Sequence, residues 1–165
     1  MPRKQTIEKA QEDRREGKSP STQAGEFVRE QIDKIRHGEH GARSPQQAIA
    51  IGLSEARRAG VDLPPPRKGT KSTRRSAKYA YEAGQGKRKT RRRPRVARAV
   101  KKVLKREPRS SVSRQALSKQ AKAAAARRSA ASRSAAARKG VRTKGAKGRS
   151  AAAKKAARTR ARRRG

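Results

Sequence analysis

The chain has 165 residues, with 50 Lys/Arg against 12 Asp/Glu, a net charge of +38, no cysteine and 2% aromatic residues. The lack of cysteine excludes a disulfide framework and thiolate metal sites, and no apolar run approaches the roughly 18–20 residues that span a bilayer. The charge is also divided: residues 1–66 carry 12 Lys/Arg and 10 Asp/Glu, whereas residues 67–165 carry 38 Lys/Arg and 2 Asp/Glu, with Pro64-Pro65-Pro66 at the boundary.

Residues 1–18 read as a charged N-terminal arm. Acids and bases interleave there without the apolar stretch of a secretory signal, which points to a cytoplasmic protein. Ile7 is the one large apolar side chain in residues 3–18, so a helix formed there is expected to fray.

Residues 19–66 read as a helical hairpin module. Ser19-Pro20 supplies a cap and a proline suited to a first helical turn, and Ala24, Phe27, Val28, Gln31, Ile32 and Ile35 then recur at three- and four-residue spacing. That pattern predicts a helix over 21–37, stopped by Gly38. Ser44-Pro45-Gln46-Gln47 restarts a helix as a cap, first position and capping box, with Ala48, Ile49, Ile51, Leu53, Ala56 and Ala59 as its apolar positions and Gly60 as its end. Gly52 inside it costs about 1 kcal/mol relative to alanine and is expected to let the first helix approach closely. The module core is Phe27, Val28, Ile32, Ile35, Ile49 and Leu53. Such a core is thin, so self-association or a protein partner is expected to complete it.

Beyond the prolines, residues 67–93 read as a basic linker, 94–139 as basic, alanine-rich helical segments and 140–165 as a disordered Lys/Arg/Ala/Gly tail. Pro94 starts a predicted helix over 95–106, with Val96, Val100, Val103 and Leu104 on one face. The bulky apolar residues of the whole second half are these four with Tyr79, Tyr81, Val112, Leu117 and Val141. At about 1.5–3 kcal/mol each they do not offset backbone ordering of about 1–2 kcal/mol per residue. The predicted fold class is therefore mainly α: a short two-helix N-terminal module followed by a largely disordered, partly helical polybasic tail.

The candidate site is a set of cations that can follow a phosphate backbone and release its counterions. Its densest run is Lys87, Arg88, Lys89, Arg91, Arg92, Arg93 and Arg95, followed by Arg98, Lys101, Lys102, Lys105 and Arg106 on the predicted helix. Arg127, Arg128, Arg138, Lys139, Lys154, Lys155, Arg158, Arg160, Arg162, Arg163 and Arg164 continue it to the C-terminus. Fully engaged, the second half would neutralise roughly 18 base pairs of duplex. Base-edge readout is not expected, because the chain has no Asn and its arginines sit outside a rigid reading element. Arg57 and Arg58 read as phosphate-positioning residues. Tyr79 and Tyr81 are the only aromatics in the basic part, too few for a single-strand stacking platform, so duplex DNA is preferred to RNA as partner.

Other chemistry finds little support. His37, Glu39 and His40 on one turn do not make a closed metal site, and neither metal nor cofactor is expected. No nucleophile–base constellation or Walker loop is present, so no enzyme is predicted. The basic amphipathic segment 95–106 lacks the Trp or Phe of an interfacial membrane helix. Ser129, Ser132 and Ser134 stand among the basic residues, where phosphate would weaken anion binding.

The strings SPSTQAGEFVRE, GEHGARSPQQAIAIGLSEARRAGV and LPPP within Ser19–Pro66 resemble a family of small basic bacterial proteins of unknown function, often labelled DNA-binding. The remainder is similar in composition to the tails of linker histones and bacterial histone-like proteins. The charge of the second half, with these likenesses, points to a histone-like, nucleoid-associated protein that binds DNA largely without sequence specificity through its polybasic C-terminal half, with the N-terminal helical module for self-association or partner docking. Two alternatives stand beside it: an adaptor whose helical module binds a protein partner, and an RNA- or ribosome-associated basic protein.

Overall fold

The computed structural model describes residues 2–89 and 93–162. These contain seven α-helices: α1 (Lys4–Arg15), α2 (Pro20–Arg36), α3 (Pro45–Arg58), α4 (Lys71–Gly84), α5 (Pro94–Arg106), α6 (Arg114–Ala126) and α7 (Ala130–Ala161), with a short 3-10 turn at Ser110–Val112. By contact the chain divides into residues 1–120 and 121–165.

The starts of α2 and α3 follow from their Ser-Pro pairs. Ser19 is extended and Pro20 opens α2, although the Ser19 hydroxyl bonds the hydroxyls of Ser21 and Thr22 rather than a backbone N–H. Ser44 caps α3 by accepting from the Gln47 N–H at 3.2 Å. Gln47 Oε1 in turn accepts from the Arg43 N–H at 2.7 Å, one residue before the position a reciprocal capping box would use. Gly38 and Gly60, just past the two helices, take the left-handed φ of +81° and +90° that ends a helix cheaply only at glycine.

Helices α2 and α3 run antiparallel. Ala24 and Phe27 of the first half of α2 share a core with Ala56 of the last part of α3, while Ile35 near the end of α2 meets Ala48 near the start of α3. The crossing is close at Gly52, where a Cβ would lie 2.7 Å from the Val28 Cα. Phe27 and Ile35 are fully buried; Ile32 and Leu53 pack partly buried against the two cores, and Val28 and Ile49 are likewise half-covered.

The expectation of a two-helix module with a largely disordered tail is overturned, because helices continue through both ends of the described chain. The N-terminal arm forms α1, which packs on α2 through Ala10 and Ile7 against the Phe27 core. Its polar side is tied down as well. The Arg3 N–H donates to Glu30 Oε1 at 2.9 Å, Lys9 pairs with Glu26 at 3.6 Å, and buried Asp13 pairs with Lys18 at 2.7 Å.

The segment expected to be a linker holds α4, capped by Thr70, whose Oγ1 accepts from the Thr73 N–H. Ala77 and Ala80 bury its inner side, and Gly84 touches α3 so closely that a Cβ would lie 1.8 Å from the Arg57 carbonyl oxygen. The Tyr81 hydroxyl donates to Asp62 Oδ1 at 2.6 Å. Farther on, Val112 is fully buried with Ile35, Ala42 and Ala48, and Leu117 packs beside it. The cores of residues 19–66 are thus extended by the chain itself, through Ile7 and Ala10 on one side and Val112 and Leu117 on the other.

These segments dock through small residues. A count of bulky side chains misses a core in which Ala24, Ala42, Ala48, Ala56 and Ala80 are all fully buried and in which Gly41, Gly52 and Gly84 bring backbone against backbone. Close approach of helices recovers dispersion contacts that small side chains would otherwise forgo.

In residues 121–165, α7 rests on local propensity. It is rich in alanine, starts at Ser129, whose Oγ accepts from the Ser132 N–H at 3.2 Å, and buries no residue. Gly145 interrupts it, with φ 63° and ψ 179°.

Candidate nucleic-acid interface

The cations predicted from the sequence stand on helices α5 and α7 and on the segments beside them. Lys87, Arg88, Lys89 and Arg93 are exposed between α4 and α5. Arg95, Arg98, Lys101, Lys102, Lys105 and Arg106 are exposed on α5. Arg127 and Arg128 lie between α6 and α7, and Arg138, Lys139, Lys154, Lys155, Arg158 and Arg160 are exposed along α7, with Arg162 at its end. Arg91, Arg92, Arg163 and Arg164 lie outside the described residues.

Not every basic residue is available. Arg57, read from the sequence as phosphate-positioning, is buried, and it donates to the carbonyls of Leu63 at 3.0 Å and Pro64 at 3.4 Å. It holds the chain at the triple-proline exit, and burial pushes its guanidinium below the usual arginine range. Arg58 remains exposed, with a bond to Ser54 Oγ. Arg88 is partly committed: it bonds Glu82 at 3.2 Å and lies 5.0 Å above the Tyr79 ring.

One group of cations emerges only from the fold. Lys71, Arg74, Arg75 and Lys78 recur at i, i+3, i+4 and i+7 on α4, so they form one exposed stripe. Ala77, Ala80 and Gly84 lie on the opposite side, against α3. The helical spacing of the four cations is the available signal, hidden where the segment reads as a linker. At 1.5 Å per residue the stripe is about 10 Å long, and the basic side of α5 is about 17 Å long. Each carries roughly one positive charge per 3 Å, against one negative charge per 1.7 Å of duplex.

Acids near these helices are few. Glu82 pairs with Lys78 at 3.7 Å and with Arg88, and Glu107 pairs with Arg43 at 3.7 Å; no other Asp or Glu follows residue 66. The neutral side behaves differently. Lys34 lies against Glu30 in a buried pair, and although burial pushes the Glu30 carboxyl up, bonds from Lys34, Thr6 and the Arg3 N–H outweigh it and hold the group below the usual carboxylate range. Tyr81 is pushed up by its bond to Asp62.

The histidines are bonded locally, His37 to the Asp33 carbonyl and His40 to the Gly41 carbonyl and Gln31. A cavity of about 330 Å³ borders Ile7, Phe27 and Val61, and Arg14 is the one charged side chain in its lining. Among the described residues no helix is long and apolar enough to cross a membrane.

No curated protein and no solved structure matches the chain. Residues 3–69 match the model of a family described as "Family of unknown function (DUF6496)". The match takes in α1, α2, α3 and the triple proline, and it ends before α4. It agrees with the unknown-function side of the resemblance drawn on Ser19–Pro66, and its description says nothing of DNA.

Proposed function

We propose that this protein binds double-stranded DNA through charge and without sequence preference, as a histone-like, nucleoid-associated protein. The observation that supports this reading is the exposure of the α4, α5 and α7 cations on preformed helices, with only Glu82 and Glu107 as acids after residue 66. Cations held on formed helices lose less conformational freedom on binding than the same residues on an unfolded tail. The α4 stripe and the basic side of α5 each suit one run of phosphates. In α7 the cations are distributed around the helix, which suits a groove with phosphates on both sides. The major groove is about 12 Å wide and admits a helix, and the many alanines of α7 keep it slim.

The state of the three aromatic side chains favours a duplex over a single strand. Single-strand binders stack bases on free aromatic faces, but here Phe27 is fully buried, Arg88 covers one face of Tyr79, and Tyr81 is tied to Asp62. The folded part formed by α1 to α4 then serves as the rigid mount of the α4 stripe.

Fluorescence anisotropy of the full chain with a labelled duplex across a salt series tests the reading. Six to ten phosphate contacts predict a loss of about 10³–10⁵ in affinity between 50 and 200 mM salt. Affinity that does not change with salt, or tighter binding to single-stranded RNA at equal salt, would refute it.

A further inference from the structure

Helix α5 leaves one face bare. Val96, Val100 and Val103 are 54%, 51% and 55% exposed, and no residue of the helix is buried. Their spacing of four and three is that of a two-stranded helical seam. At 3.6 residues per turn the three valines fall within an arc of about 60°, flanked by Ala97, Ala99 and Leu104. The cations of α5 stand mostly on the opposite side. The C-terminal end of the helix is pinned, because the Gly41 N–H donates to the Leu104 carbonyl at 2.8 Å and the Ala42 N–H to the Pro108 carbonyl at 3.3 Å.

We infer that the valine face of α5 takes the same face of a second copy of this chain, pairing two molecules while nucleic acid occupies their basic sides. The inference rests on the polyanion reading above for that second occupant. Charge placement selects the partner. Side chains flanking a helical seam decide what can pair across it, and here they are Ala97, Ala99, Leu104 and a single cation, Arg106. Two copies therefore meet with little like-charge contact, whereas an acidic partner finds almost nothing beside the seam to hold.

The make-up of the apolar face disfavours lipid. An interfacial helix buries Trp, Phe or Leu side chains at the acyl boundary, whereas α5 offers three valines, two alanines and a single leucine. Size sets the conditions for pairing. A helix of 13 residues is about 20 Å long and buries well under the ~800 Å² per partner of a stable complex. Against +38 on each chain, such a pair holds where a polyanion neutralises both molecules and raises their local concentration. Back to back, the two helices turn their basic sides outward, so one pair reaches two duplex segments.

The absence of cysteine permits a direct test on the full chain. Val100→Cys puts one thiol at the centre of the face, and Lys102→Cys puts one on the far side of the same helix. Each variant is treated with a short bis-maleimide, once on duplex DNA and once without nucleic acid at high protein concentration and about 1 M salt, where the Debye length falls to about 3 Å. The expected yield of crosslinked dimer is at least about tenfold higher for Val100→Cys in both conditions. It falls to the Lys102→Cys level when Val96→Ser and Val103→Ser are added.

Equal yields at the two positions in both conditions overturn the pairing. If the duplex does not bind at any salt, the polyanion reading fails, and the high-salt arm still decides the pairing. A blue shift of a dye on Val100→Cys with phosphatidylglycerol vesicles, without excess crosslinking, assigns the face to lipid and overturns it as well.

Discussion

Gly84→Ala tests whether α4 is docked on α3. The new methyl would stand 1.8 Å from the Arg57 carbonyl oxygen, 2.8 Å from its carbon and 3.1 Å from the Arg58 Cα. These are backbone atoms, so no side-chain rotation relieves the contact, and the end of α4 must move away by more than about 1 Å to reach van der Waals distance. That movement opens the packing around Ala80, which is fully buried, and strains the bond from Tyr81 to Asp62. Overpacking of this kind costs about 1–3 kcal/mol, against a helix-propensity gain of up to about 1 kcal/mol. Gly25→Ala is the control: Gly25 lies inside α2, where an added methyl would have nothing within 4 Å, so it should gain about 0.5–1 kcal/mol. The chain has no tryptophan, and both of its tyrosines lie on α4. Tyrosine emission during urea unfolding therefore reports the docking directly, with circular dichroism following the helices as a whole. The expected order of midpoints is Gly25→Ala above the parent chain and Gly84→Ala below it. If Gly84→Ala matches or exceeds the parent, α4 is not packed as described and the segment is a linker after all.

Combining Arg74→Gln, Arg75→Gln and Lys78→Gln should weaken duplex binding and flatten the slope of log affinity against log salt by about 2–3 units, at about 0.9 for each phosphate no longer neutralised; an unchanged slope in the anisotropy series would remove α4 from the interface. Arg57→Ala should destabilise the fold by about 1–3 kcal/mol, because it leaves the Leu63 and Pro64 carbonyls without their donor, while duplex affinity at fixed salt stays within about twofold. A large loss of affinity without loss of stability would restore the phosphate-positioning role. The Glu30 carboxyl is held below its usual range, so it adds stability above the unfolded-state value of about 4.3 and loses it as the pH falls through the lower folded value. Urea midpoints should therefore drop on acidification below about pH 4.3, and Glu30→Gln should be less stable at neutral pH and lose less on acidification. Equal acid sensitivity of the two proteins would show that the buried pair is not responsible.

The sequence reveals the parts of the fold that are marked by caps and bulky residues. Ser19-Pro20, Ser44-Pro45, Gly38 and Gly60 place both ends of α2 and α3 to within a residue or so, and Gly52 signals the close crossing at Val28. The helices that dock through Ala10, Ala77, Ala80 and Gly84 leave no such signal, because alanine and glycine are as common on exposed helices as in tight contacts. Val112 and Leu117 read as isolated apolar residues along the chain, yet they close a core that begins more than 70 residues earlier at Ile35. Long-range closure of that kind has no local periodicity to read. At the candidate interface the cations are legible one by one, but their availability depends on the fold. Burial removes Arg57 from the set, and the helical form of α4 adds Lys71, Arg74, Arg75 and Lys78.

The break at Gly145 bears on how far α7 can travel along a duplex. Unbroken, its 32 residues would form a straight rod of about 48 Å. A groove winds once around the DNA axis in about 34–36 Å, so a straight rod of that length leaves the groove tangentially before its far end arrives. The break yields two rods of about 22 and 24 Å, each shorter than one winding. Its conformation, φ 63° with ψ 179°, is one that side-chain-bearing residues adopt only at a cost of about 1–3 kcal/mol. One glycine thus sets the length over which α7 is straight, and that length fits the curvature of the polymer it is proposed to follow.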